Sequence, residues 1–260
     1  MKILILKGNA PRHNYFANEI KQLKGFDTLI LSHKRLSQNR LSKMIVKSPK
    51  TFFSRVSKYI FQTLRGWDRK EQIYFDCSLS FQDQIVESLN SVSTLKIMKD
   101  FEPDILVAFG IPIISNQVIS VPKYGSINLH GGISPQYKGG NTIFWPLYKG
   151  DVNNIGATLH YMVQKVDSGK VISKVYPEIS SDDNEFTVSA KTFKLATKEM
   201  VHIVNWIKSN NKEIFGEKQI EKGSLYLAKH RTFMVDLFGP IKIKKNLANV
   251  SIKERIKRFY

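Results

Sequence analysis

Short runs of consecutive apolar residues alternate along this chain with longer segments in which apolar residues recur every three or four positions. The short runs lie within residues 2–7, 27–32 and 105–109, and a fourth strand is expected at 125–130, where Ile127 and Leu129 alternate with polar residues. A continuous apolar run of this length is typical of a central strand in a parallel sheet, which is buried on both faces. The pattern therefore predicts an α/β protein with a mainly parallel sheet and helices on both of its faces.

Segments with helical spacing of apolar residues predict the helices that join these strands. They lie at 14–23, 38–65, 81–99, 142–149 and 186–209, and two further strands are expected at 155–162 and 170–179. Proline lacks the backbone N–H that a helix interior needs, so Pro49 is expected to cut the second helix.

The last fifty residues differ in pattern from the rest of the chain. Residues 211–260 carry aromatic residues, β-branched runs and the pair Gly239-Pro240. We expect a main domain at 1–210 and a small β-rich C-terminal extension at 211–260.

Two polar residues stand at the end of one predicted strand. Asn128 and His130 are two positions apart, so their side chains share one face of the strand. The carboxyl ends of such strands are where α/β sheets place their chemistry. Asp167 precedes the turn signal Ser168-Gly169 and can return to contact the imidazole. Each residue alone is more often structural, but together an amide, an imidazole and a carboxylate suit acyl transfer.

The loop after the first strand is a second candidate site. Residues 8–13 lead into a helix N-terminus, where free backbone N–H groups and the helix dipole attract anions. Within this loop, Asn9 and His13 offer polar groups and Arg12 a fixed charge. The alternative is that these side chains lie on a solvated loop.

The charge of the chain indicates an anionic partner, because 40 Lys and Arg face 22 Asp and Glu in 260 residues, a net charge of +18. The excess is concentrated in residues 34–70 and 241–260. The basic amphipathic stretch at 38–65 is compatible with a membrane or nucleic-acid surface. We favour a helix packed on the sheet, because interfacial helices are the rarer use of this pattern.

The remaining composition narrows the class of protein. The single Cys77 suits a reducing compartment, and we expect it to be a packed thiol. The sequence carries no zinc-ligand spacing, no secretory signal and no apolar run long enough to cross a bilayer. We therefore expect a soluble cytoplasmic protein that uses no metal.

Several ordered motifs resemble the formyltransferase family. They are Asn128-Leu129-His130, Ser134-Pro135-Gln136-Tyr137-Lys138-Gly139, Gly156-Ala157-Thr158-Leu159-His160-Tyr161 and Val166-Asp167-Ser168-Gly169. The resemblance covers about residues 100 to 180 well, and it departs from the family in the loop 131–135. The family includes methionyl-tRNA formyltransferase, glycinamide ribonucleotide formyltransferase and the nucleotide-sugar N-formyltransferases.

The resemblance implies a Rossmann-like fold, 10-formyltetrahydrofolate as the formyl donor, and a role for each candidate residue. It implies three catalytic residues: Asn128, His130 and Asp167. It implies a folate pocket formed by Ile113, Ile114, Gln164, Val166 and Asp167. It places the acceptor near Asn9, Arg12, His13 and Trp145. In this scheme Asp167 orients the imidazole of His130 and raises its pKa.

The acceptor is expected to be a nucleotide-linked amino sugar. Among such sugars we favour one of the dTDP-4-amino-4,6-dideoxyglucose type, used for O-antigen lipopolysaccharide or another surface polysaccharide. The resembling sugar enzymes often form homodimers through short β-rich C-terminal pieces. Methionyl-tRNA as the acceptor fits the basic charge, but the enzyme that formylates it is a longer chain with a substantial C-terminal domain. The glycinamide ribonucleotide enzyme is essentially the catalytic core alone and leaves residues 33–80 unaccounted for. A nucleic-acid-binding protein that has lost catalysis is the non-enzymatic alternative, which the intact catalytic set disfavours.

Overall fold

The computed structural model describes residues 1–33, 49–75 and 83–260. Cys77 and the first part of the helix expected at 38–65 lie outside these residues, so both remain predictions.

The described residues form a central sheet of eight strands. Its members are β1 (Lys2–Lys7), β2 (Asp27–His33), β3 (Gln84–Val86), β4 (Ile105–Phe109), β5 (Ser126–His130), β7 (Ala157–Tyr161), β8 (Val171–Tyr176) and β10 (Arg255–Arg258). Their order is β10-β8-β7-β5-β4-β1-β2-β3. The pairs from β5 to β3 are parallel, and the pairs from β5 to β10 are antiparallel. Two short strands, β6 (Tyr137–Gly139) and β9 (Ser224–Tyr226), form a second small sheet.

Helices cover both faces of the central sheet. They are α1 (Pro11–Lys21), α2 (Pro49–Leu64), α3 (Trp67–Tyr74), α4 (Val92–Phe101), α5 (Asn116–Ile119), α6 (Phe144–Lys149), α7 (Glu185–Asn210) and α8 (Phe233–Leu247). Side chains of α1 and α7 such as Phe16 and Met200 pack with Ile5 on one face. Met98 of α4 packs with Leu6 on the other face. The predicted α/β architecture with a mainly parallel sheet is confirmed.

The register of the parallel strands sets where the polar residues fall. Lys7 of β1 pairs with Phe109 of β4, and Phe109 pairs with Leu129 of β5. The carboxyl ends of these three strands therefore meet at one edge of the sheet. Asn128 and His130 flank Leu129 at that edge, as the apolar pattern predicts.

The helix predicted at 81–99 begins later than expected. Among its described residues, 84–86 form an edge strand and the helix starts at Val92. Ser91 caps this helix, since its Oγ accepts the backbone N–H of Thr94 at 3.2 Å. The helical pattern failed at its N-terminal end, where Ile85 lies on the edge strand and is 67% exposed.

The C-terminal segment is not β-rich, which corrects the expectation from its β-branched residues. Helix α8 takes up fifteen residues and buries Asp236, Gly239, Ile243 and Leu247, which are spaced by three or four positions. This is helical periodicity, and burial along one stripe outweighs the strand propensity of the exposed positions. Strand β10 then pairs antiparallel with β8 at the edge of the main sheet. The domain boundary at residue 210 stays a prediction.

Helix α2 packs against α8 and the turn 228–230 rather than against the central sheet, which corrects the packing expected for this basic stretch. Its buried face is polar. Ser57 Oγ donates to Asp236 Oδ2 at 3.3 Å, and Ser54 Oγ bonds the backbone carbonyls of Ala228 and Arg231. Its exposed face carries large apolar side chains, namely Phe53, Val56, Tyr59, Ile60 and Leu64.

A buried arginine holds these C-terminal elements together. Arg231 is 1% exposed. Its Nη1 and Nη2 donate to the two carboxylate oxygens of Glu185 at 2.7 and 3.0 Å, and its Nε donates to Asp236 Oδ1 at 2.6 Å. The guanidinium also lies 3.9 Å from the ring centroid of Phe144. Because Glu185 begins α7 and Asp236 lies in α8, this one side chain joins both helices.

We expect Arg231→Met to destabilise the protein by about 3–5 kcal/mol, because it leaves the buried carboxylate of Asp236 and the partly buried carboxylate of Glu185 without this cation. The matched control is Lys2→Met, since Lys2 pairs with Glu102 at 3.6 Å at the surface and its loss costs less than about 1 kcal/mol. Urea unfolding of both variants measures the difference. Equal stability of the two variants would contradict this view of Arg231.

Candidate active site

A cleft of about 1150 Å³ opens at the edge where β1, β4 and β5 end. Its walls include the loop 8–13, the loop 110–114, the end of β5 and residues 162–167. This place is the one that strand order and register predict for the chemistry of an α/β sheet.

The three predicted catalytic residues come together in this cleft. His130 Nδ1 lies 3.3 Å from Asp167 Oδ2. Asn128 lies two positions before His130 on β5, and all three side chains line the cleft. The sequence separates Asp167 from the strand, and the loop after β7 returns it to the imidazole as expected.

Asp167 is held in place from several sides. Its backbone has φ of +47°, a conformation that few residues other than glycine adopt. Its Oδ2 accepts the backbone N–H of Gly139 at 2.7 Å, and its Oδ1 lies 3.5 Å from His160 Nε2. Burial by itself raises the pKa of the carboxyl, but His130, His160 and the Gly139 amide outweigh it and lower the pKa to about 2. Asp167 is therefore ionised at neutral pH.

The imidazole of His130 is set up to receive a proton. It is 5% exposed, and its Nε2 lies 2.7 Å from the carbonyl oxygen of Tyr137. Burial lowers the pKa of His130, and the opposing effect of the Asp167 carboxylate does not offset it. The expectation that Asp167 raises this pKa agrees with the direction of the carboxylate's own effect, and burial sets the net direction. The ring is neutral at rest, and a proton taken up at Nδ1 faces Asp167.

His160 completes the cluster and has no role in the sequence-based scheme. Its Nδ1 lies 2.8 Å from the carbonyl oxygen of Tyr161, to which it donates, so its Nε2 is an acceptor. That Nε2 lies 3.3 Å from Asn128 Nδ2. One amide hydrogen of Asn128 is thus fixed, and the second remains for a ligand. His160 reaches Asn128 because β5 and β7 pair antiparallel and these two residues lie opposite each other. The sequence alone does not reveal this pairing.

The residues predicted for the folate pocket lie on two neighbouring loops of the cleft, and all of them line it. Ile113 is 69% exposed, whereas Ile114 is 3% exposed and also belongs to the core. Asn116 Nδ2 donates to Gln164 Oε1 at 3.2 Å, which ties the two loops together. An exposed isoleucine, with Val166 lining the same cleft, suits a flat aromatic ring. The assignment of these residues stays a prediction.

Two of the residues predicted for the acceptor site lie on the opposite wall. Arg12 lines the cleft and forms an ion pair with Glu71 of α3. Asn9 also lines it, and its Nδ2 donates to the carbonyl oxygen of His33 at 3.0 Å. Their contact with an acceptor stays a prediction.

His13 is part of the scaffold of this wall. Its Nδ1 accepts the backbone N–H of Ala10 at 3.2 Å, and its ring meets the edge of Phe109 at 4.6 Å. A Cβ at Gly8 or Gly110 would lie within 2.4 Å of the ring, so glycine is required on both sides. Burial is the largest cause that lowers the pKa of His13 well below its ordinary value. The ring is neutral and brings no positive charge to an acceptor.

Trp145 lies beneath the cleft wall rather than in it, which corrects its expected place in the acceptor site. It is 7% exposed, stacks on Tyr226 at 5.3 Å and meets the edge of Phe144. An apolar helix position favours the core over the surface, and Trp145 follows that rule.

The described residues contain no group of three or more His, Cys, Asp or Glu side chains that can hold a metal ion. Among the described helices, none is long and apolar enough to cross a membrane.

Comparison with known proteins identifies the family of this chain. Residues 64–204 match the formyl transferase family, which is more than half of the chain. The chain belongs to the formyl transferase family, and the resemblance seen in its motifs is confirmed.

Curated relatives share part of their length with this chain. The methionyl-tRNA formyltransferase of Bacillus velezensis is 36% identical over 146 residues, which are 55% of this chain and 43% of that protein. The enzyme of the same name from Listeria innocua is 36% identical over 114 residues, which are 43% of this chain and 36% of that protein. The chain spans less than half the length of these relatives.

Solved structures resemble the fold over nearly the whole chain. A 4-N formyltransferase from Francisella tularensis has a TM-score of 0.57 at 17% identity, covering 99% of this chain and 98% of that one. The formyltransferase PseJ from Anoxybacillus kamchatkensis, in complex with UDP-4,6-dideoxy-4-formamido-L-AltNAc and tetrahydrofolate, has a TM-score of 0.53 at 15% identity, covering 95% and 97%. These likenesses concern the fold alone.

The pKa of His130 tests the electrostatics of the cluster without any substrate. We expect NMR titration to give it a pKa below the ordinary value, and Asp167→Asn to lower it further, because the carboxylate stabilises the imidazolium. His130→Gln assigns the resonance, and Asp182→Asn at an exposed position is the control. An unchanged or raised pKa in Asp167→Asn would show that the two groups do not interact as described.

Proposed function

We propose that this protein is an N-formyltransferase that moves a formyl group from 10-formyltetrahydrofolate to the amine of a nucleotide-linked amino sugar. The observation that carries this proposal is the cluster of Asn128, His130 and Asp167 in one cleft of a formyl transferase fold. An amide donor, a neutral imidazole and an ionised carboxylate are the groups that acyl transfer to an amine requires.

The amide of Asn128 stabilises charge on the formyl oxygen. His160 fixes one of its two hydrogens, so the other is free to donate to the oxygen as negative charge develops there. Loss of one such donor typically costs about 2.7–4 kcal/mol in the barrier. 10-Formyltetrahydrofolate supplies the formyl group and, after transfer, a nitrogen that needs a proton.

His130 and Asp167 handle the proton released by the attacking amine. The imidazole is neutral because burial lowers its pKa, so it can take this proton directly or through water. Asp167 Oδ2, 3.3 Å from Nδ1, then stabilises the imidazolium. The same proton is available for the departing folate nitrogen.

The sugar acceptor is supported by the extent of the structural likeness. Solved structures of similar fold include a sugar N-formyltransferase from Shewanella and a 4-N formyltransferase, and the likeness to the latter covers both chains almost completely. The methionyl-tRNA relatives are covered over less than half of their length. We propose that the acceptor is a dTDP-linked 4-amino-4,6-dideoxy sugar used for surface polysaccharide. We place the reaction in the cytoplasm, because the folate donor and the nucleotide sugar are both water-soluble.

Initiator methionyl-tRNA is the second candidate acceptor. The net charge of +18 and the sequence identity to methionyl-tRNA formyltransferases favour it. Binding of tRNA neutralises many phosphates and is therefore steeply salt-dependent, whereas a diphosphate needs only two or three cationic groups.

We also propose a homodimer. Large apolar side chains on the outer faces of α2 and α8 support it, because contiguous exposed apolar patches mark interaction surfaces. Among them are Tyr59 and Leu64 of α2 and Phe233 and Ile241 of α8, which are 66%, 76%, 56% and 71% exposed.

The proposed function is tested by formyl transfer from 10-formyltetrahydrofolate to a panel of acceptors. The panel contains dTDP-, UDP- and GDP-linked amino sugars, charged initiator tRNA and glycinamide ribonucleotide. We expect kcat/KM for a dTDP-linked amino sugar to exceed that for every other acceptor. Formylation of the charged tRNA at physiological salt, with none of the amino sugars, would overturn the sugar assignment.

A further inference from the structure

Helix α2 presents a polar stripe to the cleft that the catalytic scheme does not use. Arg55, Lys58 and Gln62 follow the spacing i, i+3, i+7 and all line the cleft. The serines of α2 face α8 and the turn before it, and its large apolar residues face outward. The helix therefore has three distinct faces, and one of them belongs to the site.

The side chain of Lys58 is hydrogen-bonded to the loop that also binds the catalytic carboxylate. Its ammonium donates to Asn141 Oδ1, and Asn141 has φ of +57°, in the left-handed region. Two residues earlier, the N–H of Gly139 donates to Asp167 Oδ2. An occupant that touches Lys58 therefore lies a short distance along the cleft from Asp167 and His130.

The carboxylates near Lys58 are already engaged by other cations. Glu185 and Asp236 pair with Arg231, and Glu71 pairs with Arg12. Within the described part of the chain, Lys58 forms no ion pair, and its hydrogen-bond acceptor is the neutral amide oxygen of Asn141. A cation in a cleft without its own carboxylate is the arrangement that binds an anionic ligand.

We infer that Lys58, with Arg55 on the same stripe and Arg12 on the adjoining wall, binds the phosphate groups of the acceptor, which we take to be a nucleoside diphosphate. This inference rests on the proposed function. Two cations of α2 and a third on the adjoining wall match two phosphates, and Gln62 adds a neutral donor one turn after Lys58. The sugar then extends past Asn141 toward the reacting groups.

The electrostatics of Lys58 give this site a measurable signature. Burial, followed by repulsion from Arg231 and Arg12, lowers the pKa of Lys58 to about 8. A bound diphosphate stabilises the charged ammonium and raises its pKa. Near pH 8 a fraction of Lys58 is neutral in the free protein, so binding of the diphosphate takes up protons from the buffer.

The test is calorimetry at pH 8 with dTDP and UDP as probes, in two buffers of different ionisation enthalpy. We expect proton uptake by the wild-type protein with at least one probe. Lys58→Met should weaken binding by about tenfold or more, the loss expected for a charge-assisted contact, and should abolish the uptake. Lys58→Arg should keep most of the affinity and lose the uptake, because arginine does not titrate in this range.

The matched control is Lys70→Met, which removes the same charge at an exposed position outside the cleft and should leave both quantities unchanged. Unchanged affinity and uptake in Lys58→Met, or no binding of either probe to the wild-type protein, would overturn the inference. If Lys58→Met transfers the formyl group to a nucleotide sugar with an unchanged KM, the inference about Lys58 is overturned and the proposed function stands. If the diphosphates bind as expected but no nucleotide sugar is formylated, the proposed function is overturned and the assignment of Lys58 to phosphate binding stands.

Discussion

The carboxylate of Asp167 accepts the N–H of Gly139 at 2.7 Å and faces the imidazoles of His130 and His160 at 3.3 and 3.5 Å. Burial of an unpaired carboxylate is costly, and among these three partners the donated N–H of Gly139 and the imidazole of His130, once protonated, offset that cost. These partners come from the end of β5, the strand β6 and the strand β7. One side chain thus fixes three segments of the cleft relative to each other.

The same interaction couples the two ends of the proposed site. Asp167 is bonded to Gly139, and Asn141, two residues further along that loop, is bonded to Lys58 of α2. Helix α2 is in turn held by its serines against α8 and the turn before it, where Arg231 neutralises Glu185 and Asp236. A cleft whose walls are joined by such bonds presents its reacting groups in a preorganised geometry, which is what electrostatic catalysis requires.

Periodicity predicted the parts of this protein that depend on local pattern. The strands β1, β4 and β5 and the shared face of Asn128 and His130 follow from apolar runs and the two-residue repeat. His160 and Arg231 were missed because their roles arise from pairings between segments far apart in the sequence. Helix α8 was missed because its β-branched residues favour a strand locally, while tertiary burial of one stripe selects a helix.

The central claim is that His130 and Asp167 act as one catalytic unit, and a double-mutant cycle on kcat tests it most directly. The variants are His130→Ala, Asp167→Ala and the double variant, each checked for a normal melting transition and assayed with the best acceptor. Each single variant should lower kcat by roughly 10²–10⁴-fold, the range for general acid–base catalysis. The double variant should be little worse than the poorer single variant, because groups acting as a unit are strongly non-additive. The account would be contradicted if the loss of kcat in the double variant equalled the product of the two single losses. A near wild-type kcat in His130→Ala would also contradict it.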